Sequence, residues 1–146
     1  MDREILAKLY KFCAYRDRSR SEIVDKLHSL GVAGPEEDLY LEHLAAERFW
    51  DEARFAYQYA RGKFNQNGWG RTRIRLELRQ REVPAALIAS EMASAIPEAE
   101  YRAAIRKLAA AKLAQLGDDP QARDKTLRYL LQKGFEWEVL REEVEG

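Results

Sequence analysis

One twelve-residue pattern occurs three times in this chain of 146 residues. SEIVDKLHSLGV (Ser21–Val32), TRIRLELRQREV (Thr72–Val83) and DKTLRYLLQKGF (Asp124–Phe135) align without gaps. Leu27, Leu78 and Leu130 coincide, and each copy closes on Val or Phe. A longer helical segment precedes each copy and a shorter acidic one follows it. A spacing of about 50 residues marks an internal repeat, in which each unit is one supersecondary module. The expectation is therefore three units, over residues 1–47, 48–96 and 97–146, each of three helices.

Helix punctuation supports this reading. Pro35, Pro84, Pro97 and Pro120 stand where helices open, since a proline's missing N–H costs nothing in a first turn. Glu36, Glu37 and Asp38 suit the positive end of a helix dipole, and Asp119 is placed to cap the segment opened by Pro120. Ser19 and Glu22 have capping-box spacing. Gly31, Gly117 and Gly134 follow apolar-periodic stretches, where a left-handed cap favours glycine. Between these marks apolar residues recur every three or four positions: Ile5, Leu9 and Phe12; Ile23, Leu27 and Leu30; Tyr101, Ile105 and Leu108; Trp137, Leu140 and Val144. No segment alternates as a half-buried strand does. The expected fold is all-α, with three tandem, helix-turn-helix-like three-helix units in an elongated or curved array.

Features that carry chemistry are sparse. His28 and His43 have no metal-ligand spacing and read as surface or packing residues. Cys13, the single cysteine, lies beside Phe12 and reads as a small buried hydrophobe. Gly68-Trp69-Gly70 lacks the Lys-Ser/Thr of a phosphate loop and follows a helix rather than a strand, so a flexible helix–helix turn explains it. No catalytic residue, metal or cofactor is expected, and the chain reads as a non-enzyme. Met1 to Leu6 is charged and amphipathic, unlike a secretion signal, and no apolar run approaches a membrane span. Cytoplasmic residence and a monomer are the expectations.

Charge is distributed more tellingly than it sums. Lys plus Arg and Asp plus Glu both number 25. Yet Arg61, Lys63, Arg71, Arg73, Arg75, Arg79 and Arg81 fall within 21 residues against one acid, Glu77. Arg71, Arg75 and Arg79 are four apart and form one helical ridge. Arginine's planar fork suits bidentate grip on carboxylate or phosphate. Trp69 reads either as an aromatic anchor beside the ridge or as an inward-packed side chain. Arg16, Arg18 and Arg20 form a second basic cluster, and acids gather at residues 36–38, 47–52 and 136–145. A basic centre with acidic margins suits a partner bearing both signs, such as a protein–DNA filament.

These residues resemble a known family. DRSRSEIVDKL (Asp17–Leu27) looks like the first-unit signature of the RecX regulatory proteins, and FWDEARFA (Phe49–Ala56) resembles their entry to the second unit. GRTRIRLELR (Gly70–Arg79) and LLQKGF (Leu130–Phe135) are similar to their second and closing units. The resemblance implies tandem three-helix units and negative regulation of the RecA recombinase. On that reading the chain binds RecA and its DNA filament, with DNA itself as a further candidate contact. It damps ATP hydrolysis and strand exchange in recombinational repair and the SOS response. The matching residues place the contact on Arg71, Arg73, Arg75 and Arg79, with Arg61 and Lys63 in support. Glu82 departs from the pattern: it stands where the other copies have Gly31 and Gly134, so the helix before it is expected to end differently. The first unit opens close to Met1, so a contact preceding it is not expected. The rival readings are a general DNA-binding helical protein and a helical-repeat scaffold for an unrelated partner.

Overall fold

A computed structural model describes residues 1–145. Nine helices account for the regular structure among them. The first three are Arg3–Tyr15 (α1), Arg20–Ser29 (α2) and Pro35–Ala46 (α3); the middle three are Glu52–Asn67 (α4), Arg71–Gln80 (α5) and Ala85–Ala95 (α6). Glu98–Leu116 (α7), Ala122–Gln132 (α8) and Trp137–Glu145 (α9) complete the chain. The fold is all-α, three tandem three-helix units.

Local chemistry sets the helix starts. Asp2 caps α1 by accepting from the Glu4 amide at 2.8 Å, and Asp51 caps α4 by accepting from Arg54 N–H at 2.9 Å. Ser19 and Glu22 form the expected capping box on α2. Pro35 occupies the first turn of α3, and Pro84 and Pro97 immediately precede α6 and α7. Asp119 does not cap α8. It braces the turn ahead, accepting from Gln121 N–H at 2.8 Å, and the helix begins at Ala122. Two other expectations also fail. The segment after the middle repeat is apolar rather than acidic, with Glu91 as its one carboxylate. Trp137 is 43% exposed, and Val139 joins Leu140 in the core instead.

The three repeats end identically, although one of them lacks the glycine. Val32 N–H donates to Leu27 C=O at 2.9 Å, Val83 N–H to Leu78 C=O at 3.1 Å, and Phe135 N–H to Leu130 C=O at 3.1 Å. The residue before each of these is left-handed: Gly31 at φ 84°, Gly134 at φ 98°, and Glu82 at φ 62°. This is the Schellman pattern, with its apolar contact buried in every copy. Glu82 therefore does not change how α5 ends. Burial of Leu78 and Val83 holds the turn and forces a non-glycine residue into a strained backbone region.

Two cores result. Leu9, Ile23, Leu27, Tyr40, Leu41 and Leu44 form one within α1–α3, with Phe49 and Trp50 packed on its edge. A second runs without a break from α4 to α9. Tyr101 of α7 is fully buried in it, with ring centroids 6.0 Å from Phe64 and 5.4 Å from Phe135. Each such large buried side chain contributes about 1.5–3 kcal/mol. The backbone ties these helices as well: Gly70 N–H donates to Lys133 C=O at 2.8 Å and Thr72 N–H to Gly134 C=O at 3.0 Å. Free amides at the start of α5 thus meet free carbonyls at the end of α8, and each satisfies the other. The accessible surface is 8755 Å² for 17.0 kDa, against about 7,700 Å² for a compact monomer of that mass. A tandem arrangement exposes more surface than a sphere would.

Candidate interaction surface

Burial of Ile74 and Leu78 fixes the roll of α5 about its axis. Arg71, Arg75 and Arg79 then lie on the flank facing α6, while Arg73 and Arg81 lie on the flank facing α4. On the α6 side the three arginines wall a groove of about 500 Å³. Its opposite side is Ala85, Ile88, Ala89, Met92, Ala93 and Ile96, with Glu136 at one end.

Arg71 is already engaged. Its Nε donates to Glu136 Oε1 at 2.7 Å and its Nη1 to Glu98 Oε2 at 2.8 Å, with the guanidinium 3.9 Å from the centre of the Tyr101 ring. Burial works against its charge, but the two carboxylates outweigh that and hold it more firmly protonated than an ordinary arginine. Tyr101 O–H donates to Glu136 Oε1 at 2.9 Å and accepts from the Arg71 amide at 3.1 Å. Burial, with Glu136 nearby, pushes that phenol up to about 12. The chain of charges continues from Glu98 to Arg102, and from there to Glu142 and Glu143 of α9. The basic run looks unneutralised in sequence; its acids arrive from α7 and from the start of α9.

Most of the other candidate residues are also held within the chain. Arg61 donates to Ala95 C=O at 2.9 Å and to Glu100 at 2.7 Å, and Arg81 to Glu77 Oε2 at 2.9 Å. Trp69 packs half-buried on the larger core. Its ring lies under the Arg73 guanidinium at 4.0 Å and the Lys63 ammonium at 4.9 Å. Arg16, Arg18 and Arg20 sit on the first core, away from the ridge. Arg16 pairs with Glu22, and Arg20 lies 3.8 Å from Asp38. Arg18 is 10% exposed and lies 3.7 Å above the Phe12 ring. Burial raises the Glu22 carboxyl, but hydrogen bonds from Arg16 and the Ser19 amide outweigh it and leave it below the usual range.

Arg75 and Arg79 are different. No ion pair, hydrogen bond or aromatic ring engages either guanidinium among the described residues. Both face the groove. The α6 side of that groove lies outside the residues expected from the charge pattern, and its signal in the sequence is the recurrence of Ala85, Ala89 and Ala93 every four residues on an exposed helix edge. Cys13 is buried and His43 hydrogen-bonds Tyr10 O–H at 2.7 Å, both packing roles. Among the described residues no cluster of His, Cys, Asp and Glu is arranged to hold a metal, and no helix is long and apolar enough to cross a membrane.

Comparison with known proteins matches two stretches of the chain. Residues 51–92 match the family model for the second three-helix domain of RecX, and residues 99–142 match that for the third. The regulatory protein RecX of Chromohalobacter salexigens is 34% identical over 131 residues, covering 90% of this chain and 84% of that protein. The chain belongs to the RecX family. The RecX of Geobacillus thermodenitrificans is 33% identical over 130 residues, and this chain spans about half its length (48%). A RecX crystal structure from Lactobacillus salivarius superposes with a TM-score of 0.83 at 19% identity, covering 97% of this chain and 96% of the other. At that identity the match speaks for the RecX fold. Both matched domains fall within the larger core, and the Arg75–Arg79 pair lies in the earlier of the two.

Proposed function

We propose that this chain is a negative regulator of RecA that binds the RecA nucleoprotein filament and damps its ATP hydrolysis and strand exchange. It would act without chemistry of its own. Family membership supports the regulatory role, and the observation that carries the contact surface is the pair Arg75 and Arg79, without a partner among the described residues, beside an open groove. A regulator of a polymer can engage several subunits through modest patches, since linked contacts raise avidity without any single tight one. Bridging neighbouring subunits would hinder the rearrangement that accompanies ATP turnover. The reading centres the contact on Arg75 and Arg79 rather than on Arg71, whose guanidinium is used twice within the chain.

The test is single-stranded-DNA-dependent ATP hydrolysis by the cognate RecA, titrated with the full chain and with Arg75→Glu/Arg79→Glu. Wild type lowers the rate, and the double variant needs at least about tenfold more protein for the same effect. A wild-type chain with no effect on hydrolysis or strand exchange sinks the function. Equal potency of the two sinks the surface. A second reading, direct DNA binding, draws on Lys63, Trp69 and Arg73, whose cation–aromatic ladder faces away from the groove. It predicts affinity for free duplex falling with salt at a slope of about −0.9 per phosphate contact, and Arg73→Gln would reduce that slope.

A further inference from the structure

The groove between α5 and α6 combines two chemistries. One wall is arginine at successive helical turns. The other is apolar, with Ile88, Met92 and Ile96 behind the open edge of Ala89 and Ala93. The first arginine shows what the row takes. Both partners of Arg71 are carboxylates, at 2.7 and 2.8 Å. Arg75 and Arg79 continue the same wall with the same side chain, and among the described residues no carboxylate pairs with either.

We propose that this groove receives an acidic amphipathic helix from a partner protein. Carboxylates at i and i+4 of that helix would meet Arg75 and Arg79, spaced by the same helical period. Its apolar stripe would cover Ile88, Met92 and the alanine edge, where the absence of large side chains lets a second helix approach closely. The inference rests on the filament-binding reading only for whose helix this is; the kind of segment follows from the groove.

The chemistry favours such a helix over nucleic acid. A phosphodiester backbone has no apolar face with which to dry the α6 wall of Ile88, Met92 and Ile96. It also argues against a second copy of this chain. The acidic helices α3 and α9 bury most of their apolar side chains internally, Tyr40, Leu41 and Leu44 in one and Val139 and Leu140 in the other, and each leaves one large hydrophobic exposed, Leu39 and Trp137, too little for a stripe.

The experiment uses the full chain and a fluorescein-labelled helical peptide of 16 residues with Glu at every fourth position and a flanking Leu stripe. Companion probes are its Glu→Gln analogue, a scrambled peptide and a 16-nucleotide oligothymidylate, all followed by anisotropy. Binding of the acidic peptide is expected. Arg75→Gln/Arg79→Gln, or the Gln analogue, should weaken it about tenfold or more, as loss of two charge-assisted contacts predicts. Ala89→Trp, which fills the groove from an exposed position, should do the same, while Arg128→Gln on α8 leaves it unchanged. No peptide binding, equal binding of the scrambled peptide, or binding indifferent to the groove variants overturns the proposal. So does oligothymidylate binding that the groove variants abolish without any peptide binding. A chain that binds the peptide but leaves RecA hydrolysis untouched sinks only the filament reading. A chain that inhibits RecA equally with saturating peptide present removes the groove from that function.

Discussion

Gly70 and Gly134 meet backbone to backbone. A Cβ on Gly70 would overlap the carbonyl group of Gly134 and the amide of Phe135, and a Cβ on Gly134 would lie 2.5 Å from Arg73 Cβ and 2.7 Å from its backbone nitrogen. The contact joins the start of α5 to the end of α8, and so sets the helix that carries the arginine row. Gly134 must also adopt φ 98°. The glycine-rich stretch at residues 68–70 is thus not merely a flexible turn. It is where two backbones come closer than any side chain permits.

Alanine at either position should lower stability by about 2–4 kcal/mol, the range for backbone strain with a forced shift. Gly62 is the control. It lies inside α4 with open space around its Cβ position, so Gly62→Ala should raise stability by about 0.5–1 kcal/mol. Urea unfolding checks all three, and a Gly70→Ala variant as stable as wild type would refute the close approach.

Glu82→Gly should stabilise the chain by about 1 kcal/mol, because glycine takes a left-handed backbone without a Cβ penalty. A charge effect accompanies it: burial raises the Glu52 carboxyl, Arg20 opposes this, and Glu82 adds to the rise. Glu82→Gln separates the two, since it removes the charge and keeps the φ of 62°. Thermal melts should rank glycine above glutamine at this position; the reverse order would discount backbone strain.

Stability should fall at alkaline pH through Tyr101. Its neutral form is favoured in the folded chain, where burial pushes the phenol up to about 12 from an ordinary 10. A group raised on folding contributes fully below its unfolded value and loses that contribution as pH climbs towards the folded one. The window is therefore pH 10 to 12, and the loss is about 2–3 kcal/mol. Tyr101→Phe lacks this dependence and is less stable at neutral pH, having lost the Glu136 hydrogen bond. Urea midpoints of both proteins across that window test it, and parallel pH curves would contradict the assignment.

Helices α1–α3 should open independently of the rest. Their core is separate, and the Asp17–Arg54 pair at 2.7 Å that spans the junction is largely exposed, a class of contact worth under about 1 kcal/mol. By contrast α4–α6 and α7–α9 share one core and should open together. Native-state hydrogen exchange reads this directly. Amides of α5 exchanging without those of α7 would break the prediction.

Periodicity sufficed for much of this protein. Leu27, Leu78 and Leu130 are buried at the same point of each repeat, and the Ser19–Glu22 box and Pro35 sit where local rules put them, because capping and helix amphipathicity act over three or four residues. Those short-range constraints specify the nine helices among the described residues and their threefold grouping. Partnership across the chain lies beyond such rules. Arg71, Arg75 and Arg79 are one indistinguishable ridge on paper, yet the first is clamped by Glu98 and Glu136 from 27 and 65 residues away while the other two stay open. That distinction arises only when α7 and the start of α9 dock on the larger core, since an arginine's freedom depends on which carboxylates folding brings within reach, not on its neighbours in the chain.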